Sequence, residues 1–459
     1  MQKRLISFKK LPPPHSGVVI SDQLILVIME WKALDKVAFI TVDNASLNDV
    51  AVAQVSSILK DKSKYPPDMQ GKFFHVRCAA HVINLIVKDG LKTLATSISK
   101  ICETVRHFKS TPAQRKQFAD AIQQSNVTKK AWPSTDVPTC WNSTYLMLKS
   151  ALPYREVFSK ISDNNANYLN CPSPKEWKKI VMMKDFLEIF NTATLKLGMT
   201  PHPTAHMTYM NMTKINKQLK DSIESGPPYI ADIIEPMQEK YNKYWKIMEH
   251  FAAITVVFDP RYKLSLLEFL LADKFGSNKE AIATRLKKIK DDICTWYDEV
   301  ASWQASNKPA NASPTSTEPN SNSKYLESNP EARFKAYLAG KKTKTSWGTA
   351  EIDLYLEELT VPIDSPSFEI LKWWSINSLQ LPTLAILAKT ILMTPMMSIA
   401  SESAFSTGGR VLSDSRNRLK PATLEALICG QDWIFTNEGL NKSQAVTGDV
   451  AEYDLSGSD

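Results

Sequence analysis

The sequence predicts a mainly α-helical protein with a small α/β part near its N-terminus, and three observations predict it. A β-branched apolar run, Lys36–Val42, stops abruptly at the polar cluster Asp43-Asn44-Ala45-Ser46. A helix-periodic stretch and a second short apolar run follow it, which together read as one βαβ unit. From Cys78 to about residue 300 the segments turn long, charged and amphipathic, with few strand signals. The 459 residues are 43% hydrophobic with only 14 glycines, which excludes a disordered polymer or a small disulfide scaffold. Lys plus Arg number 56 against 48 Asp plus Glu, and the resulting formal charge of +8 is compatible with a nucleic-acid partner without requiring one.

Taken in order, Met1–Phe8 holds an apolar run too short for a secretory signal. In the βαβ unit Val52, Val55, Ile58 and Leu59 recur at helical spacing. Pro66-Pro67 then break the chain before a second strand at Phe73-Phe74-His75-Val76. Val82, Leu85 and Ile86 begin the helical block, which spans residues 78–303. Residues 304–330 are nearly devoid of apolar side chains, and 304–345 read as a flexible, disordered linker.

A C-terminal block over 346–436 opens with Glu351–Leu356 and continues through Trp373-Trp374. Leu384, Leu387, Ala388 and Ile391 mark one buried helix face. Pro395 is expected to start a further helix and Gly408-Gly409 to end it. A frayed acidic tail would occupy 437–459. Every apolar stretch is broken by a charge or proline well short of the about 20 residues that span a bilayer, so no membrane partner is expected. The six cysteines lack regular spacing and read as free thiols.

Asp43 at the carboxyl end of a strand sits where open α/β sheets bind ligands, and its carboxylate there suits a divalent cation. The local alternative is a helix cap by Asp43 or Asn44. Glu402 reads as a solvated helix residue, with Phe405 expected to pack inward. Cys78, His81, Cys102 and His107 superficially invite a zinc reading, but a long amphipathic helix separates the pairs. Cys78 and His81 read better as a hydrogen-bonded pair at a helix start. Trp141, at a helix entry, is either a hydrophobic anchor or a stacking platform for an unpaired base. P-loop, paired GxGxxG and GxSxG patterns are lacking, so kinase, Rossmann and hydrolase readings have no support, and no small-molecule substrate is implied.

Six ordered stretches carry a family resemblance over nearly the whole chain: Lys3–Phe8, Thr41–Asp49, Arg77–Leu85, Trp141–Tyr145, Phe258–Lys263 and Ile399–Ser406. The last continues through Gly408-Gly409-Arg410 and Arg416–Leu419 to Cys429. They resemble plant hAT-superfamily transposases and their domesticated relatives, the BED-type zinc-finger proteins of the RICESLEEPER and DAYSLEEPER kind.

The resemblance implies an RNase H-like fold interrupted by a large helical insertion, with a C-terminal dimerisation region that returns the last catalytic helix. It implies three carboxylates on two Mg2+ ions, of which Asp43 and Glu402 match the second and third. Trp141 and Arg410 would be the DNA-contacting residues, with Cys140 standing where the family has arginine. Residues 1–77 would form a partial RNase H-like segment with 3–8 as its third strand. The first aspartate and the BED finger have no counterpart after Met1.

The resulting expectation is a nuclear, DNA-associated protein that is catalytically inactive and needs no cofactor. It would pair with itself or with related hAT chains through an apolar surface around Trp373, Trp374, Leu384 and Leu387. The competing expectations are an active Mg2+-dependent transposase in which Asp49 or Asp89 substitutes for the missing first carboxylate, and a regulatory scaffold that does not bind DNA.

Overall fold

Residues 2–63, 71–125, 127, 132–137, 141–164, 168, 170–199, 202–276, 278–306, 347–412 and 418–437 are described in this computed structural model. The first helix, α1 (Gly17–Glu30), opens at Ser16, whose hydroxyl accepts the Val19 N–H. It packs along α2 (Ser46–Lys62), and Ile25, Ile28, Val52, Val55, Leu59 and Phe74 form a small core there. The sequence reading did not assign α1, because Val18–Ile20 and Leu24–Met29 are apolar nearly all round and hide the helical period.

The expected βαβ unit is present. β1 (Ile40–Val42) and β2 (His75–Arg77) pair in parallel, Ile40 opposite His75 and Val42 opposite Arg77, with α2 between them in the chain. Both strands are shorter than the apolar runs that announced them. Phe73 and Phe74 lie before β2 and turn into two different cores.

The helical block runs through α3 (Ala79–Lys92), α4 (Ala95–Ser110), α5 (Pro112–Gln124), α6 (Trp141–Ala151), α7 (Arg155–Asn164) and α8 (Pro174–Leu197). It continues with α9 (Thr208–Ser225), α10 (Pro228–Val257), α11 (Ser265–Phe275) and α12 (Lys279–Ser306). Rings of Phe108, Phe118, Phe158 and Trp177 stack at the centre of one core between α4 and α8. The larger core gathers around α3 and α10 and extends into the C-terminal block. Residues 304–306 belong to α12, and the remainder of the expected linker lies outside the described residues.

The C-terminal block consists of α13 (Trp347–Glu357), α14 (Ile370–Ile376), α15 (Pro382–Leu392), α16 (Ile399–Val411) and α17 (Pro421–Asn437). Residues 438–459 of the expected tail lie outside the described residues. Helix α16 starts four residues after Pro395 and contains both glycines that were expected to end it. Gly408 is required for packing instead: a Cβ there would come within 2.8 Å of the Phe8 ring. Phe405, expected to turn inward, is 68% exposed and touches Phe8 at a centroid distance of 5.5 Å.

The turn after α10 joins the helical block to this C-terminal part by reciprocal capping. The last carbonyls of a helix lack intrahelical partners, and here groups from across the chain supply them. Tyr355 Oη donates to Val257 O at 2.7 Å and Trp374 Nε1 to Phe258 O at 2.8 Å. Val361 N–H donates to Pro260 O at 3.0 Å. In return Lys263 Nζ donates to Tyr355 O, and to Glu358 O at 2.7 Å, placing a cation at the carboxyl end of α13 where the helix dipole favours it. Asp259, fully buried, is neutralised by both Nε (2.9 Å) and Nη2 (2.7 Å) of Arg261. Glu351 accepts the Leu384 N–H at 2.9 Å, capping the start of α15.

Residues 3–8, expected as a strand, pair with no strand. Their backbone groups bond side chains of α17 and α1's end instead. Leu5 N–H donates to Asp432 (2.8 Å) and Phe8 N–H to Glu425 (3.1 Å). Trp433 Nε1 donates to Leu5 O and Trp31 Nε1 to Ile6 O, each at 3.0 Å, and the two indoles stack at 5.8 Å.

Candidate functional site

The carboxyl ends of β1 and β2 meet the entry to α16. Cys78 N–H donates to Val42 O at 3.0 Å, and Ala79 N–H to Met396 O at 2.8 Å, so the 395–398 segment lies along the sheet edge. Thr41 Oγ1 donates to Pro395 O at 2.6 Å. Cys78 is the cap of α3: its sulfur accepts the His81 N–H at 3.4 Å and the Ser398 N–H at 3.2 Å. The Ser398 hydroxyl stands 3.1 Å from that sulfur and 3.0 Å from Glu402 Oε1, one proton between two acceptors. Asp43, directly after β1, and Glu402, in the first turn of α16, are thus brought to one edge by a Cys78–Ser398 link.

The two carboxylates have local duties. Asp43 Oδ1 accepts the Ala45 N–H at 2.9 Å and Asn48 Nδ2 at 2.7 Å, an Asx-type turn that leads the chain from β1 into α2. The residue in the cap position is Ala45, without a side-chain bond, so neither Asp43 nor Asn44 caps α2. Both polar atoms of the Asn44 side chain are buried with no protein partner. Glu402 is exposed and reaches Ser398.

A pair of Mg2+ ions needs several carboxylate oxygens converging at about 2.0–2.1 Å in octahedral geometry. The residues present do not fit that requirement. Among the described residues no three His, Cys, Asp or Glu side chains are placed to hold a cation. Asp49 is bridged by Arg77, and Asp89 by Lys92 (2.6 Å) and Lys240 (3.0 Å). No phosphoryl-transfer step follows from this donor set. The zinc-like spacing does not converge either: His107 stacks on Tyr168 in the other core, away from the Cys78 cap.

Trp141 opens α6 and is 4% exposed, packed in the large core near Tyr145, so its indole serves as an anchor in this conformation. Cys140 lies outside the described residues. Arg410 is exposed in the last turn of α16 and reaches Thr407 Oγ1 at 3.4 Å. Beside the sheet edge opens a cleft of about 370 Å³ whose lining includes Lys3, Arg4, Thr41, His202, Ser398 and Ser401, with no Asp or Glu among its described lining residues. Burial pushes the Lys3 amine below its ordinary pKa. Sequence reasoning missed this cleft, because its lining comes from segments around residues 3, 202 and 398 that share no local pattern.

The apolar surface expected around Trp373, Trp374, Leu384 and Leu387 is interior. Trp374, Leu384 and Leu387 are buried in the large core, and Trp373 packs edge-on against Trp374. Apolar periodicity identified a buried face correctly but could not say that the body of the same chain covers it. The exposed apolar side chains of this block include Leu359 at 96%, Leu379 at 95%, and Ile376 and Phe405 at 68%.

Known families match four stretches. Residues 1–72 match "ZBED1 RNase-like domain", 76–186 "ZBED1 RNase-like helical domain", 206–299 "hAT-like transposase, RNase-H fold" and 351–434 "hAT family C-terminal dimerisation region". Zinc finger BED domain-containing protein RICESLEEPER 2 of Oryza sativa subsp. japonica is 30% identical over 95% of this chain and 61% of its own length. RICESLEEPER 3 of the same species is 31% identical over 95% and 57%. DAYSLEEPER of Arabidopsis thaliana is 28% identical over 97% and 61%. The chain therefore spans 57–61% of the length of these relatives. Among the described residues no helix is long and apolar enough to cross a membrane.

Proposed function

The chain belongs to the hAT transposase-related family, and on that premise we propose that it is a nuclear, DNA-associated protein that pairs through its C-terminal region and does not cut DNA. The observation that carries the non-cutting part is the sheet edge. Asp43 is engaged in its own turn, Glu402 is exposed on Ser398, and the nearby carboxylate Asp49 holds a guanidinium. Two-cation chemistry tolerates little displacement of its ligands, so such an edge is a poor catalyst even where the positions match.

The cleft whose lining includes Lys3 and Arg4 supports the DNA-associated part, since basic side chains at a cleft suit phosphates. The matched dimerisation region supports pairing, with a second copy or a related hAT chain as partner. The test is Mg2+- or Mn2+-dependent cleavage and strand transfer on terminal-inverted-repeat DNA. No turnover is expected, and turnover that disappears in Asp43→Ala would overturn the reading. Affinity for duplex DNA should fall as salt rises, with a smaller slope in Lys3→Ala/Arg4→Ala, whereas salt-independent behaviour would leave the scaffold reading standing.

A further inference from the structure

Residues 3–10 form a strap without helix or strand of its own, and carboxylates hold it against α17 and the end of α1. Ser7 Oγ donates to Glu425 Oε1 at 2.8 Å, and Phe8 N–H donates to the same oxygen at 3.1 Å. Leu5 N–H donates to Asp432 and Lys9 Nζ to Glu30, each at 2.8 Å. The charges are complementary: the strap carries Lys3, Arg4, Lys9 and Lys10, and the surface that receives it offers Glu30, Glu425 and Asp432. A hydroxyl that donates to a carboxylate is a contact its phosphate ester cannot make. The ester oxygen has no proton to give, and the phosphate brings about two negative charges at neutral pH.

The residues around Ser7 suit an enzyme that would put a phosphate there. Arg4 stands three positions before the hydroxyl and Phe8 directly after it, the guanidinium and apolar side chain that arginine-directed serine kinases read on an irregular segment. Arg-x-x-Ser occurs at one other place, Arg410 and Ser413, where an aspartate follows and Ser413 lies outside the described residues.

We propose that Ser7 is a phosphorylation site whose phosphate releases the strap from α17. An arginine-directed serine kinase transfers the γ-phosphoryl group of ATP to Ser7 Oγ. The O–H bond and the terminal anhydride P–O bond break, an Oγ–P bond forms, and ADP and a proton leave. The phosphate then faces Glu425, and like charges in contact disrupt the docking. Lys9, the cation two residues on, is already held by Glu30. The released strap takes Phe8 from Phe405 and from the face of Gly408, and it takes Lys3 and Arg4 out of the cleft beside the sheet edge. Affinity for duplex DNA falls as a result; that consequence rests on the DNA reading given above, and the release itself does not.

The experiment treats the full chain with ATP and a purified arginine-directed serine kinase, then reads phosphopeptides and hydrogen exchange by mass spectrometry. Phosphate is expected on Ser7, and less of it in Arg4→Ala. The Leu5 amide reports release of the whole strap, because its own acceptor is Asp432 and not the Ser7–Glu425 pair. Its exchange should quicken at least about 10-fold in the phosphorylated chain and in Ser7→Glu, and less in Ser7→Ala, which loses the hydroxyl without adding charge. Ser7→Glu/Glu425→Lys turns the repulsion into an ion pair and should restore the protection. Wild-type protection in both the phosphorylated chain and Ser7→Glu overturns the release. Release undiminished in the double variant overturns Glu425 as the group that senses the phosphate. A kinase that modifies a free Lys3–Lys10 peptide but leaves Ser7 of the full chain untouched overturns the site. A released strap with unchanged affinity for duplex DNA contradicts the cleft as a DNA contact while the switch at Ser7 stands.

Discussion

The joint between α10 and the C-terminal block and the sheet edge that carries Asp43 differ in how their polar groups are met. At the joint, helix-end carbonyls on both sides receive donors from the other side, and the buried Asp259 carboxylate is paired by Arg261. At the sheet edge Asn44 is left without a partner, Glu402 is exposed, and Asp43 serves its own turn. Buried polar groups that are fully satisfied give rigidity, and those that are partly satisfied leave a region open to rearrangement. The part of this chain built for structural integrity is the joint, and the edge that resembles a catalytic centre has the weaker local support.

The largest effect should come from the joint. Trp374→Ala removes a buried indole and its bond to Phe258 O, and is expected to cost about 4 kcal/mol in denaturant unfolding. A loss under about 1 kcal/mol would mean that the block is only loosely docked.

A second test uses pH. His206 lies 3.7 Å from Asp259, which favours its charged form, but burial outweighs this, and Arg261 already neutralises the carboxylate. Its pKa is pushed down to about 4 from 6.5. A histidine held neutral in the fold and protonated in the unfolded chain gives stability that is full above pH 6.5 and lost as pH falls toward 4. The shift corresponds to about 3 kcal/mol. His206→Gln should flatten that window in unfolding titrations, and an unchanged slope would place the loss in other groups.

Next in size, Lys263→Met keeps the aliphatic stem but leaves Tyr355 O and Glu358 O without their donor. It should cost about 2 kcal/mol by the same denaturant measurement. Smallest of the four, Asp43→Ala breaks two bonds in a partly exposed turn and should cost no more than about 1 kcal/mol. If Asp43→Ala destabilised more than Lys263→Met, the contrast between joint and edge would be inverted.

Local patterns carried the sequence reading as far as local causes reach. The runs at Lys36–Val42 and Phe73–Val76 announced parallel strands, because β-branched residues and a flanking turn act within a few positions. Helical periodicity found the buried face at Leu384, Leu387 and Ile391. What covers that face was not legible, since the covering residues lie far away in the chain, around Val257 and Ile293.

The same limit applies to the site. Asp43 at a strand end was visible, but the Cys78–Ser398 link that ties the start of the Glu402 helix to the same sheet edge spans 320 residues. The strand expected over 3–8 failed for a related reason. Its backbone donors find Asp432 and Glu425 on α17, a pairing that alternation of side chains cannot encode.

The most direct test of the central claim is Mn2+ binding to the full chain, followed by electron paramagnetic resonance or calorimetry, for wild type, Asp43→Asn and Glu402→Gln. Weak binding that is the same in all three proteins is predicted. Binding of two ions at micromolar concentration, abolished by either substitution, would contradict it and return the sheet edge to the status of a working two-cation centre.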